Sequence, residues 1–282
     1  MSSPLRHLRV ACVSVALLAG SSMTGVAGAA EPVDVELVLA VDVSLSMSPE
    51  ELAIQRDGYI AALTDQGVIE AIQSGMHGRI AVTYFEWAGA SMQRVVVPWT
   101  LIAGREDAVH FAERLSAMPP ASARRTSIAN ALGFAADLFA ESGFRGFKRV
   151  IDISGDGPNN QGPPVDMIRD RVIAQGITIN GLPLMTNGGL SSSYDVTDLD
   201  RYYEDCVIGG SGAFLVPVNS WSQFPDAIRR KLVLELAGAA SAEWARLEPE
   251  RPPVRLVQEG GGFDCLVGEK MWRDRSWRWD GK

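Results

Sequence analysis

Histidine is scarce in this sequence, three residues in 282, and the scarcity bears first on chemistry. His7 belongs to an N-terminal segment set apart below, while His77, in a turn ahead of a strand-like run, and His110, on the polar face of a helical pattern, read as surface residues. A hydrolytic scheme resting on a histidine base therefore has little to draw on. Basic charge is also short, with 26 Lys and Arg against 34 Asp and Glu and a formal net charge of −8. Nucleic acid and anionic lipid, which need a basic face, are excluded as main partners. No stretch approaches the roughly 20 consecutive apolar residues of a transmembrane helix. The first strand is not followed by G-x-G-x-x-G, and no phosphate-loop pattern occurs, so a dinucleotide enzyme is poorly supported. Cysteine is rare: Cys12 lies in the N-terminal segment, leaving Cys206 and Cys265.

That segment reads as an export signal. Arg6 and Arg9 precede a largely apolar run at 10–18, and Ala27-Gly28-Ala29 offers small residues for cleavage. We expect residues 1–29 to be removed and a soluble protein to reach the periplasm or the exterior, an uncleaved anchor being the alternative. An oxidising compartment makes Cys206 and Cys265 a candidate disulfide, the alternative being two buried free thiols.

The order of elements sets the fold class. Residues 35–41 are apolar apart from Glu36, as in a central parallel strand covered on both faces. Ser48-Pro49-Glu50-Glu51 is a capping box with proline at the first helical position, opening a helix. Strand-like runs at 79–87 and 93–102 form a hairpin, and two helical patterns follow. Strand 149–154, helix 165–174, strand 177–184, strand 213–218 and helix 221–236 then continue the alternation. The expectation is an α/β, doubly wound, mostly parallel sheet with helices on both faces. Domain 30–237 is followed by an extension at 238–282, where Pro249, Pro252, Pro253 and glycines 260–262 break long elements and predict an irregular tail. Its Trp272, Trp277 and Trp279 either pack back onto the domain or meet a partner.

Ligands of open α/β sheets sit beyond the carboxyl ends of the strands. There stand Asp42-Val43-Ser44-Leu45-Ser46, then Thr126 at the start of a helix, then Asp156-Gly157 after a strand. Two carboxylates and three hydroxyls are the hard oxygen donors that Mg²⁺ takes, or Mn²⁺ or Ca²⁺. The local alternatives are that Ser46 and Ser48 cap one helix, Thr126 caps the next, and Asp156 marks an ordinary turn. Asp152, inside a buried strand, reads as structural rather than as a direct ligand.

The D-x-S-x-S motif, the later threonine and the strand-end Asp-Gly resemble the metal-ion-dependent adhesion site of the von Willebrand factor A domain. The resemblance spans about residues 33–237. It implies a doubly wound α/β fold and metal ligation by Asp42, Ser44, Ser46, Thr126 and Asp156. One departure is Arg124-Arg125, where many members of that family carry glycine ahead of the threonine. Arg124, Arg125 and Asn159 are the candidates for the ligand rim. The expected function is a cation-dependent module that captures an Asp or Glu carboxylate of a protein partner, with no catalytic residue assigned. A metal-dependent hydrolase, for which Asp195, Asp198 and Asp200 keep a place, and a metal-free assembly protein are the alternatives. The disulfide reading predicts that the unreduced, exported protein takes up no alkylating agent; labelling at Cys206 and Cys265 would establish free thiols instead.

Overall fold

Residues 37–41 are apolar without a break, and such a strand needs cover on both faces. The computed structural model, which describes residues 30–186, 196–236, 254–256 and 262–279, provides it. Its strands are β1 (Glu31–Asp42), β2 (Ile80–Trp87), β3 (Gln93–Ile102), β4 (Phe144–Gly155), β5 (Thr178–Pro183), β6 (Phe214–Leu215) and β7 (Arg255–Leu256). They form one sheet in the order β3-β2-β1-β4-β5-β6-β7. β1 lies in its interior with β2 and β4 parallel to it on either side, and β4 to β6 continue in parallel. Only the outermost pairs, β2 with β3 and β6 with β7, are antiparallel.

Alternation along β1 divides the core. Leu37, Leu39 and Val41 face α1 (Pro49–Leu63), α2 (Gln66–Gln73), α3 (Arg105–Ser116) and α7 (Phe224–Leu236). Val38 and Ala40 face α4 (Ile128–Leu138), α5 (Val165–Ile173) and α6 (Leu199–Tyr202). Side chains two apart on a strand share a face, so a single apolar run serves both layers.

Two departures from the sequence expectation stand out. The strand expected at 213–218 shortens to Phe214–Leu215, although Val216 and Val218 still donate to the Gly181 and Pro183 carbonyls of β5. Val218 meets Leu184 only as an isolated bridge. β3 loses register against β2 between Val82 and Phe85. The tail is not irregular throughout: after the prolines and glycines, α8 (Val267–Trp279) forms, opened by Asp264, whose carboxylate accepts from the Leu266 N–H at 3.2 Å and pairs with Lys270 at 2.6 Å. Cys206 and Cys265 are bonded, with their Cα atoms 5.5 Å apart, and tie this tail to the turn after α6. The expected leader at 1–29 lies outside the described residues.

Asp152 has the structural place expected of it. It is fully buried on β4, and the equally buried Lys231 of α7 brings its ammonium within 2.7 Å. Lys231 also donates to Glu235, which in turn accepts from Asn180 of β5 at 2.9 Å. Two carboxylates thus share one ammonium away from water. Burial, opposed by Lys231 and reinforced by Glu235, pushes the Asp152 carboxyl up from 3.8 to about 7. A carboxyl raised on folding binds its proton more tightly in the folded chain. Its contribution is whole below its ordinary range and is lost as pH rises through about 7. We therefore expect wild-type stability to fall as pH rises from about 4 to about 7, by a few kcal/mol at most at roughly 1.4 kcal/mol per pKa unit. Asp152→Asn should flatten that slope. Thermal melts of both proteins across the range check it, and parallel slopes would refute it.

Candidate functional site

The β1–β4 register places Val41 beside Ser154, so Asp42 and Gly155 leave the sheet side by side. Glycine is required there: a Cβ would stand 3.0 Å from Asp42 Oδ2 and 2.8 Å from the Tyr203 hydroxyl. Asp42 is fully buried. Its Oδ1 accepts from the Ser44 N–H at 2.7 Å, and Gln55 of α1 donates to its backbone carbonyl at 2.9 Å. Its Oδ2 is buried with no hydrogen-bond partner among the described residues. Burial, and then the negative charge of Asp156, hold this carboxyl well above the usual carboxylate range.

The hydroxyls meet above it. Ser46 Oγ donates to Asp156 Oδ1 at 2.7 Å, and Ser44 Oγ lies 2.9 Å from Ser46 Oγ and 3.5 Å from the same carboxylate. The capping alternatives go to neighbours. Ser48 caps α1 in a reciprocal box with Glu51, and Ser127 rather than Thr126 caps α4. Thr126 is held by Asn160, whose Oδ1 accepts from the Thr126 N–H at 3.0 Å while its own N–H donates to the Thr126 carbonyl at 2.8 Å. Ser44, Ser46, Thr126 and Asp156 line one cavity of about 310 Å³.

The loop before Thr126 is fixed from below by a buried charge group. Glu86, at the end of β2, accepts from the Ala121 N–H at 3.1 Å, from Arg94 at 2.6 Å and from Arg56 of α1. Of the rim candidates, Arg124 is exposed and Arg125 half-buried, and both line the cavity. Asn159 does not reach the rim. It is buried, accepting from Ala129 N–H at 3.1 Å and donating to Pro163 and to Glu269 of α8, because its position in the turn directs it beneath the loop while Asn160 faces the cavity. Sequence reasoning missed Asn160, although it follows a residue that was singled out. It also missed Gly268 and Met271 of α8, which line the cavity beside Trp272, a residue expected to pack back onto the domain or meet a partner.

The donor set suits a divalent cation with hard-oxygen preference: two carboxylates, one with an orphaned buried oxygen, and three hydroxyls. Among the described residues there is no group of three or more His, Cys, Asp or Glu able to hold a metal, so hydroxyls are needed to complete such a set. His77 stacks on Phe147 near the opposite end of β4, and His110 is exposed on α3. Asp195 lies outside the described residues, and Asp200 pairs with Arg255 of β7 at 2.6 Å.

Several solved structures are similar. Proximal thread matrix protein 1 from the mussel byssus, with a zinc-occupied metal-ion-dependent adhesion site motif, is 18% identical over 73% of this chain and 48% of its own, with a TM-score of 0.52. The pilus adhesin SpaC from Lactobacillus rhamnosus GG, in its open conformation, is 12% identical over 72% of this chain and 30% of its own, with a TM-score of 0.51. A von Willebrand factor type A protein from Catenulispora acidiphila is 13% identical over 72% and 43%, with a TM-score of 0.49. The chain spans less than half the length of each. The likeness to the first two is one of fold alone. No curated protein matches the sequence. Residues 32–240, most of the chain, match the family described as protein of unknown function (DUF1194), and the chain belongs to that family.

Proposed function

We propose that this protein is an exported, divalent-cation-dependent binding module. In this reading residues 1–29 are a cleaved leader, 30–237 the binding domain and 238–282 its extension. Asp42, Ser44, Ser46, Thr126 and Asp156 would hold Mg²⁺, or Mn²⁺ or Ca²⁺, and an Asp or Glu carboxylate of a protein partner would complete the site. The observation that carries this is the orphaned Oδ2 of Asp42, buried and set against a second negative charge. A buried carboxylate without a partner is costly, and nothing in the described residues neutralises this one. A bound divalent ion supplies a Lewis-acidic position toward an anionic oxygen.

The residues themselves would divide the work. Asp42 and Asp156 balance two positive charges, while Ser44, Ser46 and Thr126 orient lone pairs without adding charge. The ion is then left short of electron density, which favours a carboxylate from outside over a neutral donor. Gln55 and the Ser44 N–H fix the Asp42 carboxylate, and Asn160 fixes Thr126. The matrix and adhesin proteins of similar fold support a binding rather than a catalytic role. Export is supported by the Cys206–Cys265 bond. No helix among the described residues is long and apolar enough to cross a membrane.

Calorimetric titration of the purified protein with Mg²⁺ and Mn²⁺ tests the reading. Wild type should bind one ion and melt at higher temperature in its presence, with about 2.7 kcal/mol of added stability at a hundredfold excess over Kd. Asp42→Asn and Thr126→Ala should lose or weaken that response with the circular dichroism spectrum unchanged. In chelator Asp42→Asn should be at least as stable as wild type, since it keeps the Ser44 contact and removes the repulsion from Asp156. Equal responses from all three proteins would exclude a cation at this site.

A further inference from the structure

The tail helix α8 closes one side of the cavity that the metal loops open. Gly268, Met271 and Trp272 stand across it from Leu45 and Thr126. Four separate attachments hold the helix there. The Cys206–Cys265 bond anchors its approach. Glu269 accepts from the buried Asn159 at 2.6 Å. Gly268 packs so closely that a Cβ would lie 2.1 Å from the Asn159 carbonyl oxygen, a contact only glycine permits. Arg125 stacks its guanidinium 3.4 Å from the centre of the Trp272 ring.

Arg125 also carries a cost. Its φ of 76° is the only positive value of a non-glycine among the described residues, and left-handed backbone is strained for a residue that carries a side chain. This strained residue immediately precedes Thr126, the candidate ligand. Strain of that kind persists where surrounding contacts over-determine it, and the Trp272 stack is one such contact. A tail resting by chance on the domain would need neither the strain nor the glycine.

We propose that α8 is a wall of the binding pocket and that Met271 and Trp272 determine which carboxylates enter. The ligand class is a protruding acidic side chain or chain end with an apolar or aromatic group beside it, rather than an acid on a flat protein face. This rests on the cation-site reading above. The wall narrows the approach to a slot. Inside it, exposed Leu45 and the half-buried Met271 and Trp272 offer apolar contact beside the positive Arg124 and Arg125. A carboxylate alone would use only the ion and the arginines. One with an aromatic neighbour would also bury that ring against α8.

The test uses Mn²⁺ alone, then N-acetylglutamate amide and N-acetylglutamyl-phenylalanine amide as probes on the Mn²⁺-loaded full chain. Wild type should bind the second probe about tenfold more tightly than the first, the gain expected from partly burying an aromatic ring. Trp272→Ala and Met271→Ala should each shrink that ratio, and Met271→Ala should do so with Mn²⁺ affinity little changed. Met271→Ala leaves the Arg125 stack intact, so it separates pocket lining from helix docking. A wild-type ratio near one, or a ratio that survives in both variants, would overturn the inference with the cation site intact. Failure of wild type to bind Mn²⁺ would instead remove the cation-site reading and this inference with it.

Discussion

Two acidic side chains, Asp42 and Asp156, are delivered to one sheet edge by the parallel pairing of β1 with β4. Parallel strands end at the same side of a sheet, so loops that follow them in distant parts of the chain become neighbours. The repulsion between these acids is tolerated because the backbone around them is over-determined. Gly155 admits the Asp42 carboxylate, Gln55 and the Ser44 amide hold it, and Ser46 takes up Asp156.

Elsewhere the same fold buries charge in the opposite manner. Glu86 lies between Arg56 and Arg94, and Lys231 between Asp152 and Glu235, each supplied with opposite charge from within the chain. Both groups tie helices to the sheet, α1 to β2 and α7 to β4. Truncating one member of such a group is expensive because it leaves the others stranded away from water. Asp42 stands in contrast to these groups, with a buried Oδ2 that has no hydrogen-bond partner among the described residues.

Much of this was legible in the sequence. An apolar run flanked by a capping box can only be a covered strand feeding a helix, and the spacing of Asp42, Ser44 and Ser46 declares itself within five residues. Asp152 was recognisable as structural because a carboxylate on the inward phase of a strand requires a partner. Its partner Lys231 was not, since nothing near residue 231 distinguishes a lysine that turns inward from one that faces water. Likewise Asn159 and Asn160 are chemically identical, and only the direction of one turn decides which supports Thr126 and which lies beneath. The tail helix was hidden by the prolines and glycines before it, and its docking depends on Asn159, Arg125 and Cys206, from three other parts of the chain.

The lapse of register in β3 has a consequence for how this molecule can meet others. An outer strand with unpaired amides is a template on which foreign chains can build. Here the outer strand carries Pro98, exposed and without an N–H, beside the irregular stretch, and Arg94 at its start is committed to Glu86. At the other flank the sheet, among the described residues, carries the two residues of β7. Lateral growth from the β3 edge is thereby discouraged.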